Sequence, residues 1–89
     1  MKVEFDLSFG KSLDKLKDNK IKERILKAII KFEQAKDLSD LSSIKEMKGH
    51  PGFYRLRLGD YRLGFELISS DKILLILVLH RKDIYKRFP

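Results

Sequence analysis

The sequence predicts an α+β fold: an N-terminal strand, a helical hairpin, and a three-stranded antiparallel meander completing one sheet with the helices packed on one face. Three observations carry this reading. Apolar and polar residues alternate with period two at residues 2–7 and on both sides of Gly59-Asp60. Between residues 9 and 32 the apolar positions instead recur at helical spacing, and residues 73–79 are apolar throughout.

In the first element, Val3, Phe5 and Leu7 share one face and Lys2, Glu4 and Asp6 the other, the pattern of a half-buried strand. Ser8 is the expected N-cap of a short helix carrying Phe9, Leu13 and Leu16, which breaks around Asp18-Asn19. A longer helix follows, with Ile21, Ile25, Ala28, Ile29 and Phe32 on one side and Lys22, Glu23, Lys27, Lys31 and Glu33 on the other. The apolar stripe of this hairpin is expected to cover the apolar side of the sheet. From Ala35 to Lys48 the periodicity weakens, and Asp37, Ser39, Asp40, Ser42 and Ser43 read as a polar connection pinned by Leu38, Leu41, Ile44 and Met47. His50-Pro51-Gly52 opens the meander, since Pro51 disfavours helix before it and lacks a donor; His50 reads as an exposed loop residue.

A Gly-first dipeptide between alternating segments signals a two-residue hairpin loop, and such a loop sets the register. Leu58 then faces Tyr61, Arg57 faces Arg62, Leu56 faces Leu63, Arg55 faces Gly64 and Tyr54 faces Phe65. One face collects Tyr54, Leu56, Leu58, Tyr61, Leu63 and Phe65. The other collects Phe53, Arg55, Arg57 and Arg62, with a gap at Gly64 and Glu66 as its only acid. Like charges opposite each other cost roughly 0.2–1 kcal/mol, and Arg presents a donor fork suited to phosphate oxygens. The convergence therefore reads either as a solvated basic face or as an anion site. Residues 73–79 form the last strand, covered on both faces, with the parity toward the arginines left open. A basic segment follows, with Asp83 as N-cap of a terminal turn.

The chain of 89 residues reads as one domain over 1–89, with 43% hydrophobic residues, three Tyr and six Phe to build a core. Without cysteine it has no disulfide framework, thiolate chemistry or Cys-type zinc site, and an intracellular, cytoplasmic setting is expected. Residues 73–79 fall far short of the ~20 that span a membrane, so the chain reads as soluble. Twenty Lys and Arg against thirteen Asp and Glu leave a net charge of +7. A polyanion or an acidic protein partner is implied.

Met47-Lys48-Gly49-His50-Pro51-Gly52-Phe53-Tyr54-Arg55-Leu56-Arg57, Gly59-Asp60-Tyr61-Arg62 and Leu79-His80-Arg81-Lys82-Asp83-Ile84-Tyr85 together resemble the RelE/ParE superfamily of toxins, closest to its RelE branch. The resemblance spans essentially the whole chain. It implies a RelE-like fold and a type II toxin that cleaves messenger RNA in the ribosomal A site without a cofactor or metal. It also implies a small antitoxin that holds the toxin inactive in a hetero-oligomer, with ribosome and mRNA as the other partners. By the same resemblance, Arg55 and Arg57 hold the two basic strand positions, Arg62 contacts the scissile phosphate, Arg81 is the basic residue at the end of the last strand, and Tyr85 stacks on a base. Lys45, Lys48, Lys82, Lys86 and Arg87 are the expected RNA-binding residues. The sequence departs from the RelE pattern in having Arg and not Lys at both 55 and 57.

That departure bears on the chemistry. Attack of a ribose 2′-oxygen on phosphorus needs a proton acceptor, a proton donor and cations for the phosphorane. Arg serves only the last, because a guanidinium keeps its proton far above neutral pH. His80, beside Arg81, is the expected acid or base. Two alternatives stand beside the nuclease: a ParE-like poison of DNA gyrase, and an inactive member that only binds RNA or antitoxin.

Overall fold

The computed structural model describes all residues from Met1 to Pro89. Its elements are β1 (Lys2–Phe5), α1 (Leu7–Lys15), α2 (Asn19–Gln34), a 3-10 turn (Leu38–Asp40), β2 (Ile44–Glu46), β3 (Phe53–Leu58), β4 (Tyr61–Ser69), β5 (Lys72–His80) and α3 (Ile84–Arg87). The α+β class is as the sequence predicts, but the sheet has five strands, ordered β1-β5-β4-β3-β2. β1 runs parallel to β5, with Lys2 opposite Lys72, and the remaining pairs are antiparallel.

The strand absent from the sequence reading is β2, inside the expected polar connection. It pairs Ile44 with Leu56, Lys45 with Arg55 and Glu46 with Tyr54. Three residues are too few for alternation to show. Gly49 and Gly52, at φ values of 79° and 85°, turn the chain from β2 into β3; a side chain at either position would be strained. Pro51 therefore sits in this turn, and β3 starts at Phe53.

The cap of α1 also differs from expectation. Asp6, not Ser8, is the N-cap, its Oδ2 accepting the Ser8 N–H at 3.0 Å. Ser8 lies in the first turn, where its hydroxyl donates to Asp6 and reaches the Ile76 carbonyl at 2.6 Å, tying α1 to β5. Asp18 caps α2 by accepting from Lys20 and Ile21 N–H groups.

The register of the β3–β4 hairpin is the predicted one at every pair from Tyr54–Phe65 to Leu58–Tyr61. Between β4 and β5 a bulge intervenes, so that Gly64 faces Leu77 while Phe65 faces Leu75. This irregularity sets the parity of β5. Ile73, Leu75 and Val78 join Phe9, Ile25, Phe32, Leu63 and Phe65 in the core under α1 and α2. Leu77 faces the other way and packs with Met47, Ile84 and Phe88 in a second cluster. The helices thus do not all lie on one face, because α3 folds onto the arginine side. Its buried Ile84 and Phe88 are what hold it there.

Candidate functional site

On the sheet face opposite α1 and α2, β3 places Arg55 and Arg57 and β4 places Arg62 directly across from Arg57. Arg81, one residue beyond β5, is tied to the hairpin turn: its N–H donates to the Asp60 carbonyl at 2.8 Å, and its Nε stands 3.9 Å from Asp60 Oδ1. The turn itself depends on Gly59, whose φ of 60° suits the first position of a two-residue loop. From α3 the exposed ring of Tyr85 lies beneath the Arg55 guanidinium, 5.0 Å from centroid to Cζ. A cation over a ring face at that distance is attracted by the ring quadrupole.

Arg62, like Arg55, is half-buried, whereas Arg57 and Arg81 are exposed. Nη1 of Arg62 donates to the Gly59 carbonyl at 2.8 Å and to the Tyr61 carbonyl at 2.9 Å, which fixes the guanidinium at the neck of the turn. Burial first, and then the neighbouring charge of Arg57, push its pKa below the ordinary guanidinium range; Tyr85 acts in the opposite sense, and Arg81 and Arg55 add to the lowering. Arg55, Arg57, Arg81 and Tyr85 are thus all near enough to Arg62 for their charges to act on it. No carboxylate forms an ion pair with Arg55, Arg57 or Arg62, the chain's two ion pairs being Lys72–Glu4 and Arg81–Asp60. Cationic charge that is mostly left without a carboxylate partner suits an anion with several oxygens.

Beside this cluster runs a groove of about 510 Å³, lined by Lys45, Lys48, His50, Arg55 and Tyr85 and floored by Met47 and Phe88. Lys45 reaches it because β2 sets it opposite Arg55. Met47 anchors the same corner, its Sδ lying 3.4 Å from Arg55 Nη1. Lys82 and Lys86 are exposed on the turn and helix that carry Tyr85. Among the sequence-predicted residues, Arg55, Arg57, Arg62, Arg81 and Tyr85 come together, with Lys45 and Lys48 alongside.

Three expectations are corrected. His80 does not join the arginines: it pairs with Tyr61 across β4 and β5, edge-on to that ring at 5.4 Å, on the helix-covered face. Its Nδ1 accepts the Lys82 N–H at 3.2 Å, and it lines a different cleft with Ser8, Ser12 and Leu16. Alternation in the strand sends residue 80 to the side opposite Leu79, which faces Arg62. Arg87 lies in that same second cleft, away from the cluster. The gap expected at Gly64 is filled, since a Cβ there would stand 2.9 Å from three atoms of the Phe88 ring.

Sequence reasoning missed the groove position of His50. The signal for it was the pair of glycines around His50-Pro51, which marks a tight reversal and therefore a strand on its N-terminal side. No group of three or more His, Cys, Asp or Glu side chains converges to hold a metal ion, and no helix is long and apolar enough to cross a membrane.

Comparison with known proteins adds to this geometry. Residues 3–85 match the family described as ParE toxin of type II toxin-antitoxin system, parDE. The chain is 41% identical over 90 residues to Toxin RelE3 of Methanocaldococcus jannaschii, covering the whole of both. Among solved structures it resembles a chain of the RelB-RelE antitoxin-toxin complex from Methanococcus jannaschii, with a TM-score of 0.79, 36% identity, and coverage of 97% of this chain and 99% of that one. A chain of the toxin-antitoxin complex RelBE2 from Mycobacterium tuberculosis matches with a TM-score of 0.59 and 28% identity, over 90% of this chain and 96% of that one.

Proposed function

The chain belongs to the RelE/ParE family of type II toxin-antitoxin toxins, and from that premise we propose that it is a ribosome-dependent endoribonuclease that cleaves messenger RNA in the A site. The observation that carries this reading is the convergence of Arg55, Arg57, Arg62 and Arg81 with Tyr85 on an open sheet face, three of the four cations lacking a carboxylate partner. The ribose 2′-oxygen attacks the adjacent phosphorus, and negative charge builds on the phosphorane oxygens. Arg62, held by two turn carbonyls, presents its remaining donors with little freedom to lose, and pre-oriented donors of this kind are the largest single source of stabilisation for such a charge. Arg55 and Arg57 supply further charge from the neighbouring strand. Tyr85, with one ring face under Arg55, offers its other face to a base. The ribosome supplies the strand geometry that so small a surface does not impose alone.

The Methanococcus jannaschii and Mycobacterium tuberculosis relatives are each seen in complex with an antitoxin. This chain is read likewise as a cytoplasmic toxin restrained by a small acidic antitoxin in a hetero-oligomer, the +7 charge supplying the attraction. The ParE description of the matching family favours a second reading, a poison of DNA gyrase. One experiment separates them: purified protein is added to programmed ribosomes and, in parallel, to gyrase with supercoiled DNA. Cleavage of the A-site codon, lost in Arg62→Ala, supports the nuclease; intact message with stalled gyrase supports the poison.

A further inference from the structure

Resting on the nuclease reading, we propose that His50 is the proton acceptor of the cleavage step, taking the proton of the attacking 2′-hydroxyl in the groove it shares with Arg55 and Tyr85. The groove determines which groups are available. The ionisable side chains facing it are Lys45 and Glu46 from β2, Lys48 and His50 from the following turn, Arg55 from β3 and Tyr85 from α3. Arginine accepts no proton at ordinary pH, and a lysine ammonium and a phenol hold theirs until well above neutrality. Glu46, whose Oε2 accepts the Gly52 N–H at 3.0 Å, keeps free lone pairs, but a carboxylate is ordinarily a weaker base than imidazole. Imidazole is the side chain that ordinarily exchanges a proton near neutrality, and of the chain's two histidines only His50 lies on this groove.

The backbone around His50 is fixed while its ring is left available. Its N–H donates to the Met47 carbonyl at 3.1 Å, and its carbonyl accepts the Phe53 N–H at 3.1 Å. The imidazole has no hydrogen-bond partner within the protein, unlike that of His80. Gly49 and Gly52, both at positive φ, bend the turn tightly enough to hold residue 50 beside the start of β3, whose Arg55 lines the same groove. The base and a phosphate-binding cation thus sit on adjoining segments of one hairpin.

The step balances with water as the only co-reactant. The imidazole takes the 2′-hydroxyl proton as the bond between the 2′-oxygen and phosphorus forms, and the bond from phosphorus to the 5′-oxygen breaks. The leaving 5′-oxygen takes a proton from water, and the imidazolium returns its own to the hydroxide left behind. The products are a 2′,3′-cyclic phosphate and a 5′-hydroxyl end. Arg55 and Arg62 carry the phosphorane charge and exchange no proton.

The test is single-turnover cleavage on programmed ribosomes by the wild-type chain, His50→Gln and His80→Gln, from about pH 5 to pH 8, with ribosome affinity measured for each. The expected result is a drop of roughly 10²- to 10⁴-fold for His50→Gln, with loss of the acidic limb of the profile and unchanged ribosome binding. His80→Gln should keep both rate and limb. A His50→Gln chain that cleaves like the wild type overturns this inference alone, as does one that slows while keeping the acidic limb, or one that fails through weaker ribosome binding. A wild-type chain that leaves programmed ribosomes untouched overturns the nuclease reading itself, and this inference with it.

Discussion

The guanidinium of Arg55 and the ring of Tyr85 lie 5.0 Å apart, and this contact joins β3 to the exposed face of α3. A helix of four residues does not hold itself in water, so α3 depends on its buried side and on this contact across the arginine face. In a double-mutant cycle of Arg55→Ala and Tyr85→Ala, the coupling energy in chemical denaturation should be about 0.5–1 kcal/mol, the size of an exposed cation–π pair. A coupling of zero would mean that the two side chains meet without stabilising each other.

Arg62→Ala should leave the fold intact and remove activity. The substitution gives up hydrogen bonds to two turn carbonyls, about 0.5–1.5 kcal/mol each, and relieves repulsion from Arg57, Arg81 and Arg55. Thermal unfolding should shift little, while A-site cleavage falls by about 10²-fold or more. Its neighbour gives the opposite pattern: Leu63 is fully buried, and Leu63→Ala should destabilise by about 2–5 kcal/mol.

Gly64→Ala should expel Phe88 from its seat. An added Cβ would stand 2.9 Å from ring atoms, and the ring is itself buried between Gly64 and Phe53. The expected cost is about 1–3 kcal/mol, accompanied by faster amide exchange in residues 84–88. Combining Gly64→Ala with Phe88→Ala should remove the clash, so that the double variant is destabilised no more than Phe88→Ala alone. Strict additivity of the two costs would show that the ring and position 64 are not in contact.

Asp6 makes acid stability pH-dependent. Its side-chain hydrogen bond with Ser8, and then the Ser8 N–H, lower its carboxyl below the usual range. A group depressed in the folded state contributes stability that is fully present above its unfolded value of about 3.9 and is lost as pH falls through the folded value. Asp6→Asn should therefore reduce stability at neutral pH and flatten the acid limb of the unfolding curve. Asp37, lowered through Ser39 in the same manner, contributes in the same window.

The sequence made the arginine face legible to the individual residue, because a two-residue loop leaves one register and alternation does the rest; Arg57 opposite Arg62 follows from Gly59-Asp60 alone. What it concealed lay in short or irregular segments. β2 has three residues and a single apolar anchor in Ile44, too little for periodicity to register. The bulge at Ile76 reverses parity partway along β5, so uninterrupted apolar composition could not say which leucines face the arginines. His80 was misplaced for a related reason: alternation puts it on the face opposite Leu79, the residue that stands across from Arg62. Phe88 was hidden because filling a glycine's space requires knowing where the chain returns.

The parallel pairing of β1 with β5 brings Lys2 beside Lys72, joining the opening of the chain to its last strand. During synthesis the first strand has no partner until β5 leaves the exit tunnel, and α3 with Tyr85 follows later still. Closure of such a long loop comes late and slowly, because its entropy is lost before its contacts form. On the nuclease reading, the arginine and tyrosine cluster is therefore completed only after β5 and α3 have been made. An antitoxin already present has that interval in which to meet it unfinished.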